Sequence, residues 1–260
     1  MEILFSAFLL SVVLVGIHAY FGLEIIRRGI IFTDLAVGQA AALGAAVSLF
    51  FWDGRFLYGC SLLAALLGAM WIALASGKGR FPEAFIGLVY ALGISAVFLL
   101  LSKSPHGTEE FQRLLVSDLL YVSLDQVALT AGLYALIGLA LWGLTRLNEG
   151  RLRHTGFFLL FALTVTSSVK LAGVLVVFAL LVGPALVAVT LFDRHQLWIA
   201  WIYGLVINSG GTPASYYFDL PTGQTLVFLQ AFLGATIYFT GSRRIGTRRP
   251  LPPPPAGADQ

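Results

Sequence analysis

Apolar and polar residues fall along this chain in blocks. Runs of about 20 residues rich in Leu, Val, Ala, Phe and Gly alternate with short polar stretches. A bilayer hydrocarbon core about 30 Å thick takes about 20 apolar residues per helix, and the runs are too long for barrel strands. The pattern predicts membrane helices over residues 3–23, 30–51, 56–75, 84–101 and 124–144, then 156–192, 197–211 and 225–240. The block at 156–192 has 37 residues, too long for one crossing and slightly short for two. Two short helices meeting near Ser167, Ser168 and Lys170 fit it, for nine crossings in all. One crossing could instead be a re-entrant half-helix buried in protein.

Charge placement orients the spans. With the N-terminus outside, twelve of the sixteen basic residues fall inside: Arg27, Arg28, Lys78, Arg80, Arg146, Arg151, Arg153, Arg194, Arg243, Arg244, Arg248 and Arg249. Arg55, Lys103, Arg113 and Lys170 fall outside. Eight crossings would put the four tail arginines outside, against the positive-inside rule. Nine crossings, N-terminus out and C-terminus in, is the better count. Glu2 stands where a signal peptide carries basic residues, so the first block reads as a span. Residues 1–241 are expected to form one transmembrane domain. Residues 242–260 read as a disordered cytoplasmic tail, basic and then proline-rich, with its arginines near anionic lipid headgroups.

Composition agrees: 58% of residues are apolar and 11% charged, where a soluble domain carries about 25% charged. Mean hydropathy is +0.87. A soluble enzyme, a disordered chain and a disulfide scaffold (one cysteine, Cys60) are excluded. The fold class is all-α, a polytopic membrane protein of eight or nine transmembrane helices.

The chemistry that remains is sparse. The sequence has no GxxxxGK[ST] loop, because Ile72 stands where the first glycine before Gly77–Lys78 should be. No HExxH or GxSxG motif occurs either. ATP hydrolysis is therefore not expected of this sequence, nor is a bound cofactor or a nucleic-acid partner. A transporter, a channel or an anchor remain. The small-residue run from Gly38 to Ala46 would pack tightly or line a narrow path. Pro184 interrupts a span and frees a carbonyl, which is tolerated where the backbone is protein-buried or lines a cavity.

Ionisable groups inside spans are functional candidates by default. His18 lies deep in the first span, as a ligand or as a neutral imidazole bonded to a neighbouring helix. Glu24 precedes Arg28 by four residues, the favourable order for a surface pair. Lys170 reads as snorkelling. In the outer segment, residues 104–127, His106 and Glu110 share a helix face with Glu109 beside them. That chemistry suits a borderline divalent cation such as zinc. Ser104–Pro105 can equally be an N-cap followed by Pro at N1, with acids complementing the helix dipole.

Several segments converge on one family. RRGIIFTDLAVGQAAALGA resembles the signature of ABC importer permeases for zinc, manganese and iron, in which a basic pair and a phenylalanine precede an Asp-x-x-x-His helix ending in glycine. SSVKLAGVLVVFALLVGPALVA is similar to that family's later segment. LLVSDLLYVSLDQV resembles its middle segment, with Ser117 for a glycine, and DLPTGQTLVF resembles its last turn. The four occur in the family's order, between about Gly16 and Phe239. The resemblance implies a fold similar to cobalamin and siderophore importer permeases and a bacterial inner-membrane location. It also implies a homodimer with a path at its axis, a separate cytoplasmic ABC ATPase and an external or periplasmic metal-binding receptor.

This sequence departs from the pattern twice. Aligned on Phe32 and Gly44, the family's aspartate falls at Leu35 and its histidine at Gln39. Asp34 is one residue off, about 100° around a helix. The polar groups left for a transported metal are Gln39, His18, His106 and Glu110. The second departure is the loop from Arg146 to Gly156, with room for about two turns of coupling helix and with Glu149 and Arg151 as ATPase contacts. The leading expectation is a divalent-metal importer permease. An ABC permease for a non-metal substrate and an ATPase-independent secondary transporter are the alternatives.

Overall fold

The computed structural model describes residues 2–77, 81–103, 109, 119, 122–148 and 150–245. Its regular elements are nine helices among the described residues: α1 (Glu2–Arg28), α2 (Thr33–Trp52), α3 (Leu57–Ser76), α4 (Pro82–Leu101), α5 (Leu124–Thr145), α6 (Arg151–Ala172), α7 (Val174–Leu191), α8 (Gln196–Tyr217) and α9 (Thr222–Ile245). No strand occurs among the described residues. The first seven are long and apolar enough to cross a membrane. In α8 and α9 the apolar run is diluted by residues such as Asn208, Thr212, Gln224 and Gln230. Helix α9 carries on to Ile245, into the segment expected to be a disordered tail, while residues 246–260 lie outside the described part.

Local chemistry sets the helix ends. Asp53, left-handed at φ 49°, closes α2 by donating its N–H to the Ser48 carbonyl, and Ser48 Oγ accepts from the Phe56 amide at 3.2 Å. Pro82 opens α4 at its first turn, where a missing N–H costs nothing. Ser123 and Gln126 form a reciprocal capping box at α5.

The 156–192 block resolves differently from its sequence pattern. Helix α6 begins at Arg151 and runs through Ser167, Ser168 and Lys170 to Ala172. The break comes at Gly173, φ 81° and ψ 159°, a backbone region open to glycine alone. The polar residues at 151–155 supply the missing turn of helix, so two full-length helices fit. Residues 151–156 of the Arg146–Gly156 loop thus belong to the first turns of α6. Only residues 146–150 lie between α5 and α6. Lys170 ends with its Nζ 5.3 Å from the Tyr58 ring centroid, a cation–π contact.

Helices α1, α2, α6 and α7 are the most buried of the spans. Phe21 of α1 packs among Phe157 and Phe161 of α6, with ring centroids 5.5 and 5.2 Å apart. Arg28 caps Phe157 at 4.0 Å. Two contacts are closer still. A Cβ at Gly22 would lie 2.0 Å from the Leu181 carbonyl oxygen of α7. One at Gly44 would lie 2.2 Å from the Cys60 carbonyl oxygen of α3. The run from Gly38 to Ala46 is therefore a packing surface: Gly44 seats α3, Ala40 meets the glycine face at Gly68, and Gly38 lies against Val174.

Gly22→Ala and Gly44→Ala are each expected to destabilise the bundle by about 1–3 kcal/mol, since backbone must move. Gly132→Ala, with nothing within 4 Å of the added carbon, should leave stability unchanged. Thermal unfolding in a single detergent distinguishes the three; a Gly22→Ala variant as stable as Gly132→Ala would contradict the packing.

Candidate functional site

Polar side chains in the buried part of the bundle fall into separate groups. The first lies on α2. Asp34 and Gln39 are each 2% exposed. Asp34 Oδ1 and Gln39 Oε1 are buried with no hydrogen-bond donor among the described residues. Leu35, the position matching the family's aspartate, is only partly buried. The helix thus turns Asp34 inward, and the one-residue offset seen in the sequence does not expel the carboxylate from the core.

Gln39 faces α4. Its Cβ would lie 2.9 Å from a Cβ at Gly93, so α4 presents bare backbone to it. Asp34 lies five positions earlier, about 140° around the helix. Its own face is that of Gly38, which packs on Val174 of α7. The two oxygens therefore open toward different neighbours. Near the same end of α2, the Phe32 amide donates to Glu83 Oε1 at 3.2 Å, tying the start of α2 to the first turn of α4.

The second group is built on α1, α5 and α6. His18 is fully buried, and its Nδ1 donates to the Leu14 carbonyl at 2.8 Å. A carbonyl can only accept, so Nδ1 holds the proton and Nε2 is a bare lone pair, buried without a donor among the described residues. The ring stands edge-on to Tyr134 with centroids 6.3 Å apart. Tyr134 Oη lies 2.5 Å from Ser168 Oγ and 3.2 Å from Ser167 Oγ. Ser168 donates to the Thr164 carbonyl at 2.6 Å, and Ser167 donates to the carbonyls of Leu163 and Thr164. With both serine protons engaged, Tyr134 must be the donor. The result is a buried patch with spare lone pairs.

Of the residues singled out from sequence, His18 and Gln39 are buried but belong to these different groups, and no hydrogen bond joins them. His106 and Glu110 lie outside the described residues, as does Glu149. Arg151 is exposed as the first residue of α6. No cluster of three or more His, Cys, Asp or Glu that could hold a metal occurs among the described residues. Glu24 pairs with Arg28 at 3.6 Å, as its spacing indicated, and with Arg27 at 3.2 Å. Arg27 also reaches Gln196 at 2.9 Å, joining the end of α1 to the start of α8. Two groups escaped the sequence reading. His154 donates from Nε2 to the Ala73 carbonyl at 3.0 Å and fixes α6 to the last turn of α3. Tyr134 drew no attention because a tyrosine in an apolar run carries no signal until its partners are known.

The family model described as the ABC 3 transport family matches residues 1–147 and 144–240. The chain is 27% identical over 227 residues to the manganese transport system membrane protein MntB of Synechocystis sp., covering 78% of this chain and 72% of that one. It is 23% identical over 260 residues to the high-affinity zinc uptake system membrane protein ZnuB of Haemophilus influenzae, covering 93% and 99%. Among solved structures, PsaBC from Streptococcus pneumoniae in complex with Fab matches with a TM-score of 0.75 over 96% of each chain, at 18% identity. That last likeness is one of fold.

Tyr134→Phe keeps the ring and removes one buried donor. Hydrogen bonds between membrane helices average about 0.6 kcal/mol and stay below about 2 kcal/mol. A loss of stability in that range is expected, read by thermal unfolding beside the unaltered chain. A more stable variant would mean that the hydroxyl is not bonded to Ser168.

Proposed function

Since the chain belongs to the ABC 3 transport family, we propose that it is the membrane permease subunit of an ABC importer for a divalent metal ion: zinc, manganese or iron. It works as a homodimer in the bacterial inner membrane, with its N-terminus outside and its C-terminus in the cytoplasm. A separate cytoplasmic ATPase drives it, and an external metal-binding receptor delivers the cargo.

The observation that carries this reading is on α2. The segment most similar to the family signature holds two buried oxygens, Asp34 Oδ1 and Gln39 Oε1, that no protein group satisfies among the described residues. A buried, unpaired acceptor costs about 1–3 kcal/mol, a cost a passing cation would offset. His18, with its free Nε2, is a further candidate, and His106 and Glu110 remain candidates at the outer face. The α2 donors are carboxylate and amide oxygens, which suit manganese or iron better than zinc; zinc favours imidazole and thiolate. In the ABC architecture ATP is hydrolysed on the partner, and this chain contributes the path and the surface the ATPase pushes against. The short segment at 146–150, with Glu149 and Arg151, is the proposed contact. Leu152 beside it is 71% exposed.

A second reading keeps the architecture and exchanges the metal for a non-metal cargo. The replacement of the family's Asp/His pair by Leu35 and Gln39 favours it. A secondary transporter needing no ATPase is the third, and the family match weighs against it.

Asp34→Asn is expected to lower metal accumulation about tenfold or more at equal membrane abundance, and Gln39→Leu several-fold. Manganese or iron should be affected more than zinc. Cells lacking the gene that show the same manganese, iron and zinc content under limitation would rule out a metal cargo. Cysteines at Leu147 and Leu152 should crosslink to a co-expressed ABC ATPase. Crosslinking at no position from 146 to 152 would remove this segment as the coupling contact.

A further inference from the structure

Helices α3 and α4 each pack closely on α2 but touch one another only sparsely. The floor they share is made of small residues. A Cβ at Gly68 of α3 would lie 3.0 Å from the Ala40 Cβ of α2, and one at Gly93 of α4 would lie 2.9 Å from the Gln39 Cβ. Above that floor the two helices part, and a cavity of about 550 Å³ opens between them. Ala40 and Gly93 line its base, with Leu67, Trp71 and Leu74 of α3 on one wall and Leu92 of α4 on the other. These four wall residues are each more than half exposed.

Polarity, length and width together select the occupant. Among the lining residues, Trp71 alone has a side chain carrying an N–H or O–H group. An ion or a polar solute would find nothing to bind. On α3 the lining runs from Ala64 to Leu74, about 15 Å along the axis, which is half of a hydrocarbon core about 30 Å thick. The groove therefore extends from the middle of α2 and α4 toward the last turns of α3, within one leaflet. Its volume over that length gives a cross-section of about 40 Å², where a helix 10–12 Å across needs about 80 Å² or more. A membrane helix of a second copy would be too thick to enter and would span both leaflets. An extended hydrocarbon chain fits in both respects. The groove is also continuous with the apolar outer surface of α3 and α4, where Leu63, Leu88 and Leu99 are exposed, so a chain can enter sideways from the bilayer.

We propose that this groove binds one acyl chain of a bilayer phospholipid, which wedges α3 against α4 and replaces the contacts the two helices do not make with each other. An empty groove would forfeit the dispersion attraction along its walls. A chain at the bundle surface touches one helix face, whereas a chain in the groove is held by three helices, and that difference keeps it bound when its neighbours exchange. Only the glycine backbone of α4 at position 93 separates the chain from Gln39. The lipid thus backs the helix on which Gln39 rests. The proposal requires the membrane-spanning fold alone and holds whatever the cargo is.

The test follows lipid kept by the full-length chain after exhaustive washing in detergent. Native mass spectrometry is expected to find one phospholipid per chain still bound. Leu67→Trp/Leu92→Trp enlarges two wall residues and should lower that retention several-fold. Leu129→Trp, at a position on α5 that is 75% exposed and outside the groove, should not. A second measurement uses the unaltered chain, and so covers a double variant that does not fold. The chain is loaded with phosphatidylethanolamine carrying a diazirine midway along one acyl chain, washed again and illuminated. Crosslinks at Leu67, Trp71 and Leu92 should outnumber those at Leu129 and Leu136 several-fold, although all five are more than half exposed. Complete loss of lipid on washing, or equal labelling of α5, would overturn the proposal. So would disulfide-linked dimers of Leu92→Cys that the unaltered chain does not form, because they would put a second copy over the groove.

Discussion

Hydrocarbon gives helices no reason to bury apolar side chains against one another, because lipid tails solvate leucine as well as a protein does. What remains is contact at short range, and this bundle depends on it. Gly22 brings α1 onto the backbone of α7 at Leu181, and Gly44 brings α2 onto the backbone of α3 at Cys60. Against α1, α6 sets Phe157 and Phe161 around Phe21, and Phe158 is buried beside them. The large side chains point elsewhere: Leu67, Trp71, Leu129, Leu136 and Phe232 are all more than half exposed, as a surface facing lipid or another subunit permits.

The same absence of water governs the polar groups. Serines and threonines in the spans mostly bond back to their own helices, as Thr166 does to Ala162 and Thr190 to Leu186. Such bonds satisfy the hydroxyl and commit it to nothing else. The unpaired oxygens and the bare imidazole nitrogen are the exceptions, and each lies on a helix packed at close range. Asp34 and Gln39 fall in the helix whose small residues let α3 and α4 approach. Close packing thus keeps them away from lipid, and a permease needs polar groups in that protected interior if it is to pass an ion.

How far these features were legible in the sequence varied with their range. The helices, the Glu24–Arg28 pair and the family motifs rest on local composition and spacing; apart from the joint between α6 and α7, the helix ends fall within about six residues of the apolar blocks. The joint between α6 and α7 was misplaced because hydropathy counts Arg151 and Arg153 as loop. A helix end is set by backbone dihedrals, and the positive φ of Gly173 made the break three residues beyond Lys170. Asp34 was set aside on register alone. A register argument fixes angles between residues on one helix but not the rotation of that helix against its neighbours, and α2 is rotated so that Asp34 is buried and Leu35 only partly so.

The block pattern of apolar residues by itself determined that this protein lives in a bilayer, that it is helical and roughly where each helix lies, because a backbone in hydrocarbon has to satisfy its own hydrogen bonds. The order of motifs determined its family. Which polar groups are sealed inside, and which neighbours they have, was decided only by the tertiary structure. The proton on His18 Nδ1, the donor role of Tyr134 and the hydrogen bond from Gln230 to Asn208 all depend on what lies across a helix–helix contact. In a chain so apolar, those contacts are chosen by small residues whose sequence signal is the same whether they pack, line a path or do neither.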